Sequence, residues 1–227
     1  MSEHDFSSLM SERNALMGAI QQMGEQVNNQ LGRAVDSLLN SDKALANACI
    51  EADQQINDMQ VQIQEMAQNI LALRAPMAEN LRAVITAFQV ATNLERAGDM
   101  AKNIARTARK NVPEIDAETA AQLREMTQLA SANLSLALKA YEKFDVDLAS
   151  ESHQSDKQID LLHKKLSKSL MAAIISHEDD AEAKTRLLNI GHAIERVGDH
   201  AKNIAEAAIY GATGEMNKSD MFDDQDD

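Results

Sequence analysis

Residues 95–105 read ERAGDMAKNIA and residues 195–205 read ERVGDHAKNIA, identical at nine of eleven positions and offset by 100 residues. Each copy sets a Glu and an Asp four apart: Glu95 and Asp99, then Glu195 and Asp199. On a helix that spacing stacks both carboxylates on one face, where like charges repel. Upstream, a second polar pair recurs as D-x-x-Ile-[Asn/Asp]: Asp53 with Asn57, and Asp156 with Asp160, offset by 103 residues. Clusters rich in carboxylate and amide oxygens, without cysteine, suit hard or intermediate cations: Mg²⁺, Mn²⁺, Ca²⁺ or iron, with Zn²⁺ also admissible. Arg96, Lys102, Arg196 and Lys202 flank these acids, so ordinary surface ion pairs of small energetic weight are the competing reading.

Long helices must hold such groups. Helical spacing of apolar residues runs Leu9, Leu16, Ile20, Met23, Val27, Leu31, Ala34, Leu38 and predicts a first helix over about 8–40. The second, about 42–73, follows a seam of Leu45, Ala48, Ala52, Ile56, Met59, Ile63, Met66, Ile70 and Leu73. The third, about 76–109, starts at Pro76 and carries Met77, Leu81, Val84, Phe88, Ala91, Leu94, Gly98, Ala101 and Ala105. Asn111-Val112-Pro113 breaks the pattern, and the plan repeats in helices of about 116–144, 146–176 and 179–210, with Gly211 and Gly214 as terminators. The expected fold is all-α: two tandem antiparallel three-helix bundles, six long helices related by a pseudo-twofold. The expected units are 1–112, 113–212 and an acidic, disordered tail over 213–227.

Within each half, the second and third helices are antiparallel neighbours. Asp53 and Glu95 each lie about 21 residues from the connection near residue 74, and Asp156 and Glu195 are centred near 175–176. Each half is therefore expected to gather three or four oxygens from two helices. Gly98 and Gly198 sit mid-helix, where glycine costs about 1 kcal/mol against alanine, and leave room for a neighbouring helix or an ion. Asn103 and Asn203 extend the acid stripe by a turn as expected hydrogen-bond partners. His192 and His200 lie near the second acidic pair but Thr92 and Met100 replace them in the first, so an incidental role is expected of both.

Composition narrows the function. Aromatics are 3% and Trp is absent, which favours helix packing over sheets. A net charge of −14 opposes nucleic-acid binding, which needs a basic face. Cys49 is the single cysteine, so no internal disulfide forms, in keeping with a reducing cytosol, and it reads as an inert core thiol. No signal-peptide pattern opens the sequence and no run of 18 apolar residues crosses it. No Ser-His-Asp arrangement, phosphate-cradling Gly loop or dinucleotide fingerprint is present, and no Glu-x-x-His adjoins the acids.

The two ER[AV]GDxAKNIA copies, the D-x-x-Ile-[Asn/Asp] pairs and LALRAPMAENLR at 71–82 resemble the PhoU family of phosphate-transport regulatory proteins over about residues 8–210. That resemblance implies tandem three-helix bundles, commonly homodimeric, in the bacterial cytoplasm, acting as a regulator and not an enzyme. It implies repression of the phosphate-starvation response when phosphate is plentiful. The implied partners are the ATPase subunit of the phosphate ABC transporter and a sensor histidine kinase, with the membrane reached only through them. It further implies a divalent or multinuclear metal (iron, zinc, manganese or magnesium), with candidate ligands at Asp156, Asp160, Glu195, Asp199, Asp53, Glu95 and Asp99. Asn57 stands where the family pattern has an acid, which makes the second half the stronger candidate. A metal-dependent enzyme or metal-storage bundle and a purely structural scaffold are the alternative functions.

Overall fold

The computed structural model describes residues 3–110, 115–176 and 181–215. They form six helices: α1 Glu3–Leu39, α2 Lys43–Arg74, α3 Ala78–Arg109, α4 Ala117–Lys143, α5 Val146–Ser176 and α6 Ala181–Thr213. No strand occurs among the described residues. The break at 111–113, the expected start of the sixth helix at 179 and nearly all of the acidic tail lie outside them.

Local chemistry accounts for the helix boundaries. Asp42 caps α2 by accepting from the Leu45 amide at 2.9 Å, and Asp116 caps α4 through the Thr119 amide at 2.8 Å and its hydroxyl at 2.7 Å. Asp145 accepts from the amides of Asp147 and Leu148, both at 3.0 Å, and starts α5. Proline does not open α3 directly. The chain passes through Ala75 and Ala78, both at positive φ, and the helix begins at Ala78, leaving Met77 81% exposed and outside the seam.

Helices α1, α2 and α3 pack on one another, as do α4, α5 and α6. The two sets join through α1 against α4 and α3 against α6. Helices α2 and α5 touch only members of their own set, so they flank a central layer of α1, α3, α4 and α6. One continuous apolar core runs through both sets, and all eight stripe residues expected on α1 are buried.

Two sequence expectations shift by a small amount with consequence. The buried seam of α2 runs Ala46, Cys49, Asp53, Ile56, Ile63, Ala67, Ile70, and Leu73 is 72% exposed. Ile56, Ile63 and Ile70 are buried where the apolar stripe puts them, but Ala46, Cys49, Asp53 and Ala67 are buried more deeply than the neighbouring stripe residues Leu45, Ala48, Ala52 and Met66, so the seam admits Asp53 as a core position. Helix α6 continues through Gly211, whose bare Cα packs on Phe144: a Cβ there would fall 2.0 Å from the ring. Gly211 is a close-approach glycine, while Gly214, at φ +77°, lies beyond the helix end. Arg82 of α3 donates to the carbonyls of Gly211 at 3.0 Å and Ala212 at 3.3 Å, filling two acceptors that the helix end leaves open.

Candidate functional site

Asp53 and Asp156 occupy equivalent seam positions on α2 and α5, and both are buried, at 2% and 6% exposure. Each faces the acidic stripe of the antiparallel neighbour, α3 or α6. The expected gathering of Asp53 with Glu95 and Asp99, and of Asp156 and Asp160 with Glu195 and Asp199, is what the packing produces.

In the first half that cluster already holds an internal cation paired with two of its acids. Lys102 Nζ reaches Asp53 Oδ2 at 2.5 Å and Asp99 Oδ1 at 3.3 Å. The short pair is a charge-assisted hydrogen bond, and the carboxylates hold the Lys102 ammonium above its usual pKa. Asn57 donates to Asp53 Oδ2 at 3.4 Å, and Gln30 from α1 donates to Oδ1 at 3.5 Å and to the Cys49 carbonyl at 3.3 Å. Asn57 therefore does more than leave the cluster one charge short: it donates to the carboxylate that Lys102 holds. Burial, then Asp99 and Asp53, raises the Glu95 carboxyl. Burial likewise raises the Cys49 thiol, as befits a core position.

The second half lacks this pairing. Asp156 makes no side-chain hydrogen bond among the described residues, and burial pushes its carboxyl up to about 7, with Asp160 and Asp199 adding. Lys202 opposes that shift by its charge but forms no ion pair with the acids. The α4 residue equivalent to Gln30 is Asn133, and its Oδ1 accepts from Ser152 at 2.6 Å, so it does not serve Asp156. Asp199 is raised by burial, and Arg196, 3.7 Å away, opposes the shift. Glu195 Oε2 is buried without a hydrogen-bond partner: His192 Nδ1 stands 3.1 Å away, outside hydrogen-bonding alignment.

The glycines match this difference. A Cβ at Gly98 would meet Ile56 at 3.1 and 3.2 Å, but a Cβ at Gly198 would meet Asp156 Oδ1 at 2.6 Å. Asp156 thus lies directly on the α6 backbone where only glycine admits it. Asn103 and Asn203 do not support the acids. Asn103 accepts from Arg106 on its own helix, and Asn203 donates to Asn93 of α3 at 3.1 Å. His200 is 3% exposed and turned to α3, where Nδ1 donates to Asn93 Oδ1 at 3.0 Å in the matching tautomer. Burial, then Arg196 and Arg96, lowers it to about 4, so it is a neutral interface group and no partner of the acids.

A cation fits the two clusters unequally. The first already holds an ammonium between Asp53 and Asp99, so a metal there must displace Lys102. The second offers four carboxylates, among them a buried Glu195 oxygen without a hydrogen bond and an Asp156 whose carboxyl burial, then its acidic neighbours, pushes up to about 7, a donor set suited to oxygen-ligated cations.

Residues 20–108 and 123–208 each match the PhoU domain. The chain is 33% identical over 227 residues to a phosphate-specific transport system accessory protein PhoU homolog of Rhizobium meliloti, covering 96% of this chain and 94% of the relative. It is 37% identical over 192 residues to the homolog of Pseudomonas aeruginosa, covering 83% and 78%. The crystal structure of the phosphate transport system regulatory protein PhoU from Streptococcus pneumoniae superimposes with a TM-score of 0.85 at 29% identity, covering 92% of this chain and 99% of that one. With both halves matched and relatives aligned nearly end to end, the chain belongs to the PhoU family.

Proposed function

We propose that this protein is a negative regulator of the phosphate-starvation response and a modulator of phosphate uptake. It acts as an adaptor between the phosphate ABC transporter's ATPase subunit and a sensor histidine kinase. The observation that carries this reading is the end-to-end alignment of both halves with proteins named as phosphate-transport accessory proteins. A binding role suits the molecule. No helix among the described residues is long and apolar enough to cross a membrane, and the acidic surface suits basic patches on partners. We place it in the cytoplasm as a homodimer built from two repeats, 1–112 and 113–212, followed by the acidic tail.

Metal is part of this proposal, and the second half carries it. Asp156, Asp160, Glu195 and Asp199 take a hard divalent cation, while Asp53, Glu95 and Asp99 do so only once Lys102 withdraws. The regulatory role is tested by deleting the gene and following a phosphate-responsive promoter in phosphate-rich medium. Constitutive expression, restored to repression by the wild-type gene, is the expected result. Normal repression in the deletion strain overturns the reading.

A further inference from the structure

On α5 the face that buries Asp156, Ile159 and Leu166 also carries His163, which is half-buried. In α2 the same position, 103 residues earlier, is Gln60. Across from it on α6 stands His192, where the first half has Thr92. The two imidazoles stack, with centroids 5.8 Å apart and planes 29° from parallel. His192 and Glu195 share one face of α6 at i,i+3, and a ligating atom from each of His163, His192 and Glu195 lies within 4.8 Å of the others.

Three features make this trio more than a surface coincidence. It combines two neutral-capable nitrogens with one carboxylate, the donor set of borderline divalent metals, not of Mg²⁺ or Ca²⁺. The separation of 3.1 Å between His192 Nδ1 and Glu195 Oε2 is close to the edge of a tetrahedron, about 3.3 Å, built from bonds of 2.0–2.1 Å. Glu195 Oε2 is buried and accepts no hydrogen bond, although that nitrogen is beside it. A shared cation would satisfy both atoms at once. Gly191 adds to the geometry: a Cβ there would meet Leu166 at 2.9 Å, so its absence lets the His163 turn of α5 lie close on α6.

We propose that His163, His192 and Glu195 form a zinc-class site on the second half, distinct in donor chemistry from the oxygen-only cluster with which it shares Glu195. Three protein ligands leave a coordination position for water or a ligand atom from elsewhere. No equivalent trio occurs in the first half among the described residues, where Gln60 and Thr92 stand in place of the two histidines.

The test uses the full chain, freed of metal by chelation and titrated separately with Zn²⁺, Co²⁺ and Mg²⁺. The comparison variant is His163→Gln with His192→Thr, which installs the first-half residues. A second variant, Asp156→Asn with Asp160→Asn, disables the oxygen cluster and spares the histidines. Wild type is expected to bind one more Zn²⁺ than the histidine variant, or to bind it more than tenfold tighter, since even outer partners of a metal are worth about 10–100-fold. Its Co²⁺ form is expected to show tetrahedral visible absorption that the histidine variant lacks. The aspartate variant is expected to keep that absorption while losing Mg²⁺. Equal Zn²⁺ stoichiometry and affinity in wild type and the histidine variant, with both fully helical, overturns the site. Loss of Mg²⁺ binding in no variant counts against the oxygen cluster instead, so the two failures are separable.

Discussion

In the first half Lys102 crosses from α3 to a buried aspartate at 2.5 Å, while in the second half Lys202, at the same place in the repeat, forms no ion pair with the acids. The Glu, Asp and Lys of the motif are the same in both copies, so the difference comes from around them. Gln30 and Asn57 both donate to Asp53, and together with Lys102 they complete its hydrogen bonding. Asn133 is committed to Ser152, Asp160 replaces Asn57 and brings a charge, and Gly198 holds Asp156 against the backbone. One copy of the repeat has become a structural ion pair and the other has kept an unsatisfied, charge-crowded acid. A near-identical motif is thus no guarantee of an identical site: the helices packed against it decide.

The sharpest way to break this comparison is Lys102→Met. It leaves Asp53 buried and unpaired, and denaturant unfolding should show a loss of about 3–5 kcal/mol. Lys202→Met should lose far less. Adding Asp53→Asn to Lys102→Met should recover much of the stability. Equal losses in the two lysine variants would remove the distinction between the halves.

His200 gives the next largest effect. Its folded pKa of about 4 lies below its ordinary 6.5, so the unfolded chain binds more protons between those values. Stability contributed by neutral His200 is present above pH 6.5 and is lost as pH falls towards 4, by about 3 kcal/mol at 1.36 kcal/mol per unit. His200→Met, the first-half residue, should flatten that part of the profile. An unchanged slope would show that burial does not hold this histidine neutral.

Asp156 runs the opposite way. Its folded pKa, about 7, is raised from 3.8, so the stabilising protonated form is lost as pH rises through that window. Asp156→Asn should raise the melting temperature of metal-free protein at pH 8, by about 2–4 °C per kcal/mol recovered. The same variant should weaken Mg²⁺ uptake. Asp53→Asn should lower the melting temperature, because it breaks an ion pair. If both substitutions moved stability in the same direction, the two clusters would be equivalent after all.

The smallest effects belong to the glycines. Gly98→Ala recovers helix propensity of about 1 kcal/mol against a tight contact with Ile56, and should stay within about 1 kcal/mol of wild type. Gly198→Ala drives a methyl group into Asp156 and should disturb cation uptake more than stability, read by Mg²⁺ titration beside thermal unfolding.

Much of the architecture was legible in the sequence. Periodicity found the six helices, and turn arithmetic brought Asp53 to Glu95 and Asp156 to Glu195 because antiparallel helices of fixed rise leave little freedom. The α2 stripe locates Ile56, Ile63 and Ile70 but not Asp53, because a polar Asp at a core position does not register in an apolar pattern. Gly211 carries the signature of a terminator, yet its task is contact with Phe144 at the end of α4. His163 does not register for a related reason: it is half-buried, four residues after Ile159, where a polar side chain reads as surface. The unlike fates of Lys102 and Lys202 were illegible in the repeat itself, since Gln30 and Asn133 settle them from a third helix more than 60 residues away in the chain.

The shared central layer bears on how the chain is made. The faces of α1 and α3 that cover α4 and α6 have no partner until the second half has been synthesised. At about 5–20 residues per second, a ribosome leaves those apolar surfaces uncovered for on the order of ten seconds after α3 is complete. During that interval the nascent first half is a natural client for chaperones, and the same half expressed alone should associate through the surfaces it cannot cover.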